Sequence, residues 1–130
     1  MAARDLRVPG DMSDVRQELG KTGEDLAVRE LVSRGYAIRD RRYRTRRGEI
    51  DIVCEDRGTI VFVEVRAKSS LTFGGAAGSV TPAKQRRVTA CAVEYLARHR
   101  LTCRPCRFDV VAIDQAGGPA PEITVYPNAF

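Results

Sequence analysis

The sequence has no long hydrophobic run: nothing in it approaches the roughly 18 consecutive apolar residues of a membrane-spanning helix. Its opening, "MAARDLRVPGDMSD", has no apolar segment of the kind a secretory signal carries. Neither a membrane span nor a secretory signal is therefore expected, and the default is a cytoplasmic protein. Internal repeats and low-complexity blocks are also missing. A second C-x-x-C is missing too. Cys103 and Cys106 form one, with His99 four residues earlier, so a zinc site is conceivable. With no further pair to complete it, zinc is not expected. Cys54 alternates within a strand as a small hydrophobe would, and four cysteines in a cytoplasmic chain do not imply disulfides. The glycine-rich stretch "LTFGGAAGS", residues 71 to 79, lacks both the G-x-G-x-x-G spacing and a G-K-[ST]. That excludes a phosphate-binding fingerprint and leaves a flexible flap.

What is present suffices for one domain with a real core: 130 residues, 43% hydrophobic and 30% charged. The net charge of +5 is a moderate excess, and its distribution says more than its size. "RDRRYRTRR", residues 39 to 47, holds six arginines in nine positions with Tyr43 among them. Arginine suits forked phosphate contacts, so Arg42, Arg44, Arg46 and Arg47 are candidate nucleic-acid contacts. A solvated edge strand is the competing reading.

Residues 1 to 12 read as disordered and 13 to 130 as a single domain. A helix over about 14 to 34 ends at Gly35. Its inward stripe is Leu19, Leu26, Ala27, Val28 and Leu31, and Glu24 falls on it. Strands follow over about 36 to 44, 48 to 55 and 59 to 68, the last two joined by a turn at Gly58. Thr81 caps a second helix with Pro82 at its first position. That helix runs to about residue 99 with Val88, Cys91, Ala92, Tyr95 and Leu96 inward. "CRFDVVAI", residues 106 to 113, is a buried strand and "EITVY" a short last one. The order is α-β-β-β-α-β-(β), an α/β fold with helices packed on one mixed sheet.

Two of these apolar strands each carry a carboxylate, Asp51 and Glu64, although burying an unpaired charge is costly. Strict alternation puts Asp51 with Val53, opposite Ile50, Ile52 and Cys54, and gathers Ile60, Phe62, Glu64, Arg66 and Lys68 on one face. A hairpin loop from Asp56 to Thr59 sets Asp51 across from Glu64, within roughly 5–8 Å. Facing carboxylates repel unless something neutralises them. A magnesium ion, which commonly takes one or two carboxylates, is one solution. Ion pairs are the other, Asp51 with the arginine strand and Glu64 with Arg66 or Lys68. Spacing alone leaves both open.

"GEDLAVRELVSRGY", "RRGEIDIV", "VFVEVRAKSS", "FGGAAGSVTPAKQRR", "RFDVVAI" and "NAF" resemble, in this order, the YraN-like family of small bacterial proteins. The resemblance covers about residues 20 to 130. That family looks like a branch of the PD-(D/E)XK nuclease superfamily, most similar to archaeal Holliday-junction resolvases. It implies a restriction-endonuclease-like core and a Mg²⁺- or Mn²⁺-dependent endonuclease cutting DNA, with branched DNA as one substrate. The first-helix acid of the superfamily falls on Glu24, and its metal-binding acids fall on Asp51 and Glu64, with the Val65 carbonyl as a third ligand. Its water-orienting lysine falls on Arg66, a departure, with Lys68 a candidate substitute on the same face. Its helical glutamine falls on Gln85, and Lys84, Arg86 and Arg87 around it join the phosphate contacts. Resolvase-like proteins often dimerise, so the resemblance allows a homodimer, while the sequence itself leaves the oligomeric state open. Arginine, with its pKa above about 12, handles protons poorly. The alternative is therefore a binding module with the same fold and weak or lost catalysis. Asp109 is expected to be a structural acid paired with an arginine, and Cys106, next to a strand motif, to pack.

Overall fold

A computed structural model describes residues 12–68, 80–114 and 120–130, with side chains placed from residue 23 onward and not at residue 68. Residues 1–11 of the segment expected to be disordered and the expected flap lie outside the described residues, as do the side chains of Leu19 and Lys68, while Met12 begins a helix. The elements are α1 (Met12–Ser33), β1 (Ala37–Thr45), β2 (Gly48–Asp56), β3 (Thr59–Lys68), α2 (Pro82–Arg98), β4 (Cys106–Asp114) and β5 (Glu122–Tyr126). The five strands form one sheet in the order β1-β2-β3-β4-β5. Only β3 and β4 run parallel, and α2 is the crossover between them. This is the α/β architecture the sequence pattern implies, with the last strand formed.

Local chemistry sets the boundaries. Gly35, at φ 93°, closes α1. Its amide donates to the Val32 carbonyl and that of Tyr36 to the Leu31 carbonyl, the paired bonds of a Schellman cap. Arg57 and Gly58 hold φ 53° and 89°, the two positive angles a type I′ hairpin turn needs between β2 and β3. Thr81 accepts the Lys84 amide at 3.1 Å and precedes Pro82, so α2 begins at a defined residue.

The sheet is covered on both faces. Ala27 and Leu31 of α1 pack on Ile52, Cys54, Val61, Val63, Val111 and Ile113. Val88, Cys91, Ala92 and Tyr95 of α2 pack on Ile50, Val53, Ile60 and Phe62. Leu96 is partly buried at the edge of that second cluster.

Ile50 corrects the strict alternation, which places it with Ile52 and Cys54; it packs instead on the α2 side with Val53. The neighbouring strand switches at the same point. Arg41 reaches α1 acids while Tyr43, two residues on, joins the α2-side core. Between them Arg42 holds φ 55°, a left-handed angle that breaks the pleat. The pairs Arg41↔Ile52 and Tyr43↔Ile50 bracket Arg42 and Asp51, so both strands turn over at Asp51.

Asp109 is fully buried and structural, as expected. Its carboxylate accepts from Arg107 Nε and from the Asn128 amide, each at 3.0 Å. Arg107 also donates to Tyr36 and Asp56. Cys106 is a further correction: it is exposed, not packed, because it starts β4 before the strand passes under the helices. Cys103 is also exposed, whereas Cys54 and Cys91 are buried. Burial pushes the Cys54 thiol up to about 12, which keeps it inert. Among the described residues no helix is long and apolar enough to cross a membrane.

Candidate active site

The β2–β3 ladder runs from Asp56↔Thr59 to Ile52↔Val63, the register expected from the hairpin. The ladder ends there; Asp51 and Glu64 are the next residues of the two strands, and the charge of Asp51 reaches Glu64. There a side chain joins the backbone pairing: the Val65 amide donates to Asp51 Oδ2 at 2.8 Å. The acid is thus tied to the residue directly after the second acid.

Glu64 is 1% exposed, and among the described residues neither of its carboxylate oxygens has a hydrogen-bond partner. Lys84 Nζ stands 3.1 Å from Oε1 as its ion-pair partner. Burial, followed by the charge of Asp51, pushes the Glu64 carboxyl up to about 7, against the pull of Lys84 and Arg66. Asp51 is also raised, first by burial, with the Val65 amide and Lys84 opposing and Glu49 and Glu24 adding to the rise. Two adjacent carboxyls resisting ionisation make a site that a cation would relieve. Mg²⁺ and Mn²⁺ take oxygen ligands, and one or two carboxylates with waters suffice for magnesium. The unbonded Glu64 oxygens and Asp51 fit such an ion. Among the described residues no group of three or more His, Cys, Asp or Glu side chains is placed to hold a metal. An ion held here would have to draw the rest of its shell from solvent or substrate oxygens.

The remaining expected site residues divide into those near this centre and those away from it. The charge of Arg66 reaches Glu64 from two residues along β3. Glu24 lies on the rim, where Arg42 Nε approaches it at 3.0 Å and Arg41 Nη2 at 3.4 Å, while its charge still reaches Asp51. Arg42 therefore contacts an acid of the site itself. Gln85 donates from Nε2 to the Val80 carbonyl at 3.0 Å and braces the entry to α2. Arg44 pairs with Glu49 at 3.4 Å on the exposed edge. Arg46 and Arg47, at the β1–β2 turn, line an open cleft of about 540 Å³ together with Glu94. Arg86 and Arg87 are exposed on α2.

Two contacts were not legible in the sequence. One is Arg41, which holds Asp25 at 2.7 Å as well as Glu24. The other is the reach of Lys84 to Glu64. Thr81 and Pro82 mark where the helix begins, and so place Lys84 in its first turn. Which acid it meets depends on how α2 lies across the sheet.

The family model described as "Uncharacterised protein family UPF0102" matches residues 23–113, a span that contains both acids, Lys84 and Gln85. The chain belongs to the UPF0102 family. A UPF0102 protein of Ralstonia pickettii (strain 12J) is 55% identical over 101 residues, covering 75% of this chain and 81% of the relative. One from Anaeromyxobacter dehalogenans (strain 2CP-C) is 46% identical over 121 residues, covering 93% and 90%. One from Myxococcus xanthus (strain DK1622) is 44% identical over 115 residues, covering 88% and 90%. The UPF0102 match is the family that the ordered motifs resemble, and it spans every described element from Gly23 of α1 to Ile113 of β4.

Proposed function

We propose that this UPF0102 protein is a Mg²⁺- or Mn²⁺-dependent endonuclease of the PD-(D/E)XK kind, acting in the cytoplasm on phosphodiester bonds of DNA, branched DNA included. One observation carries the reading: Glu64 is a fully buried carboxylate that feels the charge of Asp51, with Lys84 at one oxygen and no hydrogen bond at the other. A stable core does not keep such a group without a use for its charge.

In this reading Asp51 and Glu64 hold the metal, with the Val65 carbonyl as a further ligand. A divalent ion held there would supply polarisation of a phosphoryl oxygen and a more acidic water. The protein's own groups set the geometry. The Val65 amide orients Asp51, and the Arg41–Glu24–Arg42 cluster fixes the rim acid beside it. Arg66 meets the scissile phosphate with a forked donor. Gln85 secures the helix start rather than a water, given its bond to Val80. Arg44, Arg46, Arg47, Arg86 and Arg87 take backbone phosphates, contacts that position the duplex without reading bases. A homodimer would give a four-way junction two cutting sites.

The arginine at 66 favours a second reading, a DNA-binding module without catalysis. A cleavage panel separates the two: labelled four-way junction, flap, duplex and single strand, with Mn²⁺, Mg²⁺ or EDTA, wild type beside Asp51→Ala. The nuclease reading expects structure-selective cutting that EDTA abolishes and Asp51→Ala lowers by about 100-fold or more. Salt-dependent binding to the same DNA with no cutting in either metal establishes the binding module. Neither binding nor cutting removes both.

A further inference from the structure

The family pattern expects a lysine two residues after the second acid, and this chain has Arg66 there. Another ammonium stands at the same acid. We propose that Lys84, carried on the first turn of α2, does the work that the E-x-K pattern assigns to residue 66, holding the attacking water and meeting the charge that develops on the phosphate. The proposal rests on the nuclease reading and adds a catalytic residue to it.

Three features support it. The first is placement: Lys84 Nζ lies 3.1 Å from Glu64 Oε1, and the same charge reaches Asp51. One ammonium therefore serves both acids. The second is exposure. Glu64 is buried, whereas the Lys84 side chain is 36% exposed. Its chain runs from solvent to the buried acid.

The third is preorganisation. Thr81 accepts the Lys84 amide, Pro82 starts the helix, and Gln85 ties the first turn to the Val80 carbonyl. Val80 is itself buried against Val110 and Ala112 of β4. The turn that presents Lys84 is thus anchored to the sheet that presents Glu64. No acidic residue occupies the first turn of α2 to draw the ammonium away. A lysine is also the better group for this task, a compact charge with three donors on a flexible stem. The planar fork of Arg66 suits two phosphate oxygens instead.

The chemistry balances with water as the only co-reactant. The water oxygen bonds to phosphorus, and the P–O bond to the departing sugar oxygen breaks with its electron pair. That oxygen takes up a proton from solvent, and the attacking water gives one to solvent. Lys84 keeps its proton throughout and acts by donating hydrogen bonds.

The test compares Lys84→Met, Lys84→Arg and Arg66→Met with the wild type, reading kcat and KM for cleavage, the Mn²⁺ dissociation constant by calorimetry, and the urea midpoint. We expect Lys84→Met to lower kcat about 100-fold, with KM changed less than about threefold. Its Mn²⁺ affinity should equal or exceed that of the wild type, because a competing cation has left Glu64, and its urea midpoint at about pH 5, where Glu64 holds its proton in the fold, should match the wild type. Lys84→Arg should recover part of kcat, and Arg66→Met should act mainly on KM. If the wild type cuts and Lys84→Met cuts within about threefold of it, Lys84 is not the missing lysine and the nuclease reading stands. Loss of Mn²⁺ binding in Lys84→Met overturns the proposal as well, since the lysine would then only support the metal site. A wild type that cuts no substrate in either metal defeats the nuclease reading, and this proposal with it.

Discussion

Without divalent metal at pH 8, Glu64→Gln should be more stable than the wild type by about 3 kcal/mol, and the difference should vanish near pH 4. The sign follows from the direction in which the fold moves this acid. The Glu64 carboxyl is raised from 4.5 to about 7 in the folded protein, so folding favours its protonated form. Below pH 4.5 folded and unfolded chains both hold the proton, and no penalty exists. Between pH 4.5 and about 7 the unfolded chain releases this proton while the folded chain keeps it, so stability falls across that window and levels off once the buried carboxyl also ionises. Each tenfold difference in proton affinity between the folded and unfolded chains corresponds to about 1.4 kcal/mol, which sets the size. Glutamine keeps the shape of the protonated acid and never ionises, so its stability profile should be flatter over this window. Urea denaturation in EDTA at pH 4, 6 and 8 measures the difference directly. Adding Mn²⁺ at pH 8 should reverse the order, stabilising the wild type and leaving the variant unchanged. Parallel pH profiles for the two proteins would show that ionising Glu64 costs the fold nothing.

Asp109 is the other buried acid, and its removal should act in the opposite direction. Asp109→Ala should cost about 3–5 kcal/mol at neutral pH, the usual penalty for breaking a buried pair from one side. Its carboxylate accepts from Arg107 and from the Asn128 amide. Among the described residues alanine leaves Arg107 with Asp56 and Tyr36, and it frees the turn that carries the "NAF" segment. That segment is held by the Ala129 amide on the Phe108 carbonyl at 2.7 Å and by Phe130 stacked on Phe108. Asp109→Asn should cost less, because its amide oxygen can still accept from Asn128. A urea midpoint for Asp109→Ala within about 1 kcal/mol of the wild type would show that the pair contributes little.

These two acids are buried in strands of one sheet, yet they are provided for differently. Asp109 has an arginine and a backbone amide positioned for it, whereas Glu64 has an ion pair at one oxygen and no hydrogen bond at either. The first is a satisfied structural group. The second is the group that we propose a cation satisfies.

Much of the fold was legible in the sequence because its signals are local. Gly35, Gly58 and the Thr81–Pro82 pair mark their boundaries through backbone geometry that few other residues adopt, and the observed element bounds lie within about two residues of those expected. The inward residues of α2 followed from helical spacing alone. The hairpin register, and with it the meeting of Asp51 and Glu64, followed from a two-residue turn. What escaped depends on non-local packing. The pleat breaks at Arg42, an arginine in a left-handed conformation that nothing in its identity announces, so Ile50 changes sides. The arginine run reads as a uniform basic strip, yet Arg41 and Arg42 fold back onto acids of α1 while Arg46 and Arg47 open onto a cleft. Lys84 reads as a surface lysine until the crossover helix is laid over the end of β3.

Everything proposed for catalysis depends on Asp51 and Glu64 holding a divalent cation together. Calorimetric titration of Mn²⁺ into the wild type, Asp51→Ala and Glu64→Gln at pH 8 decides whether they do. We predict one saturable site per chain in the wild type and no measurable site in either variant. A wild type that takes up no Mn²⁺, or variants that bind it as tightly as the wild type, would show that the acid pair is not a metal site.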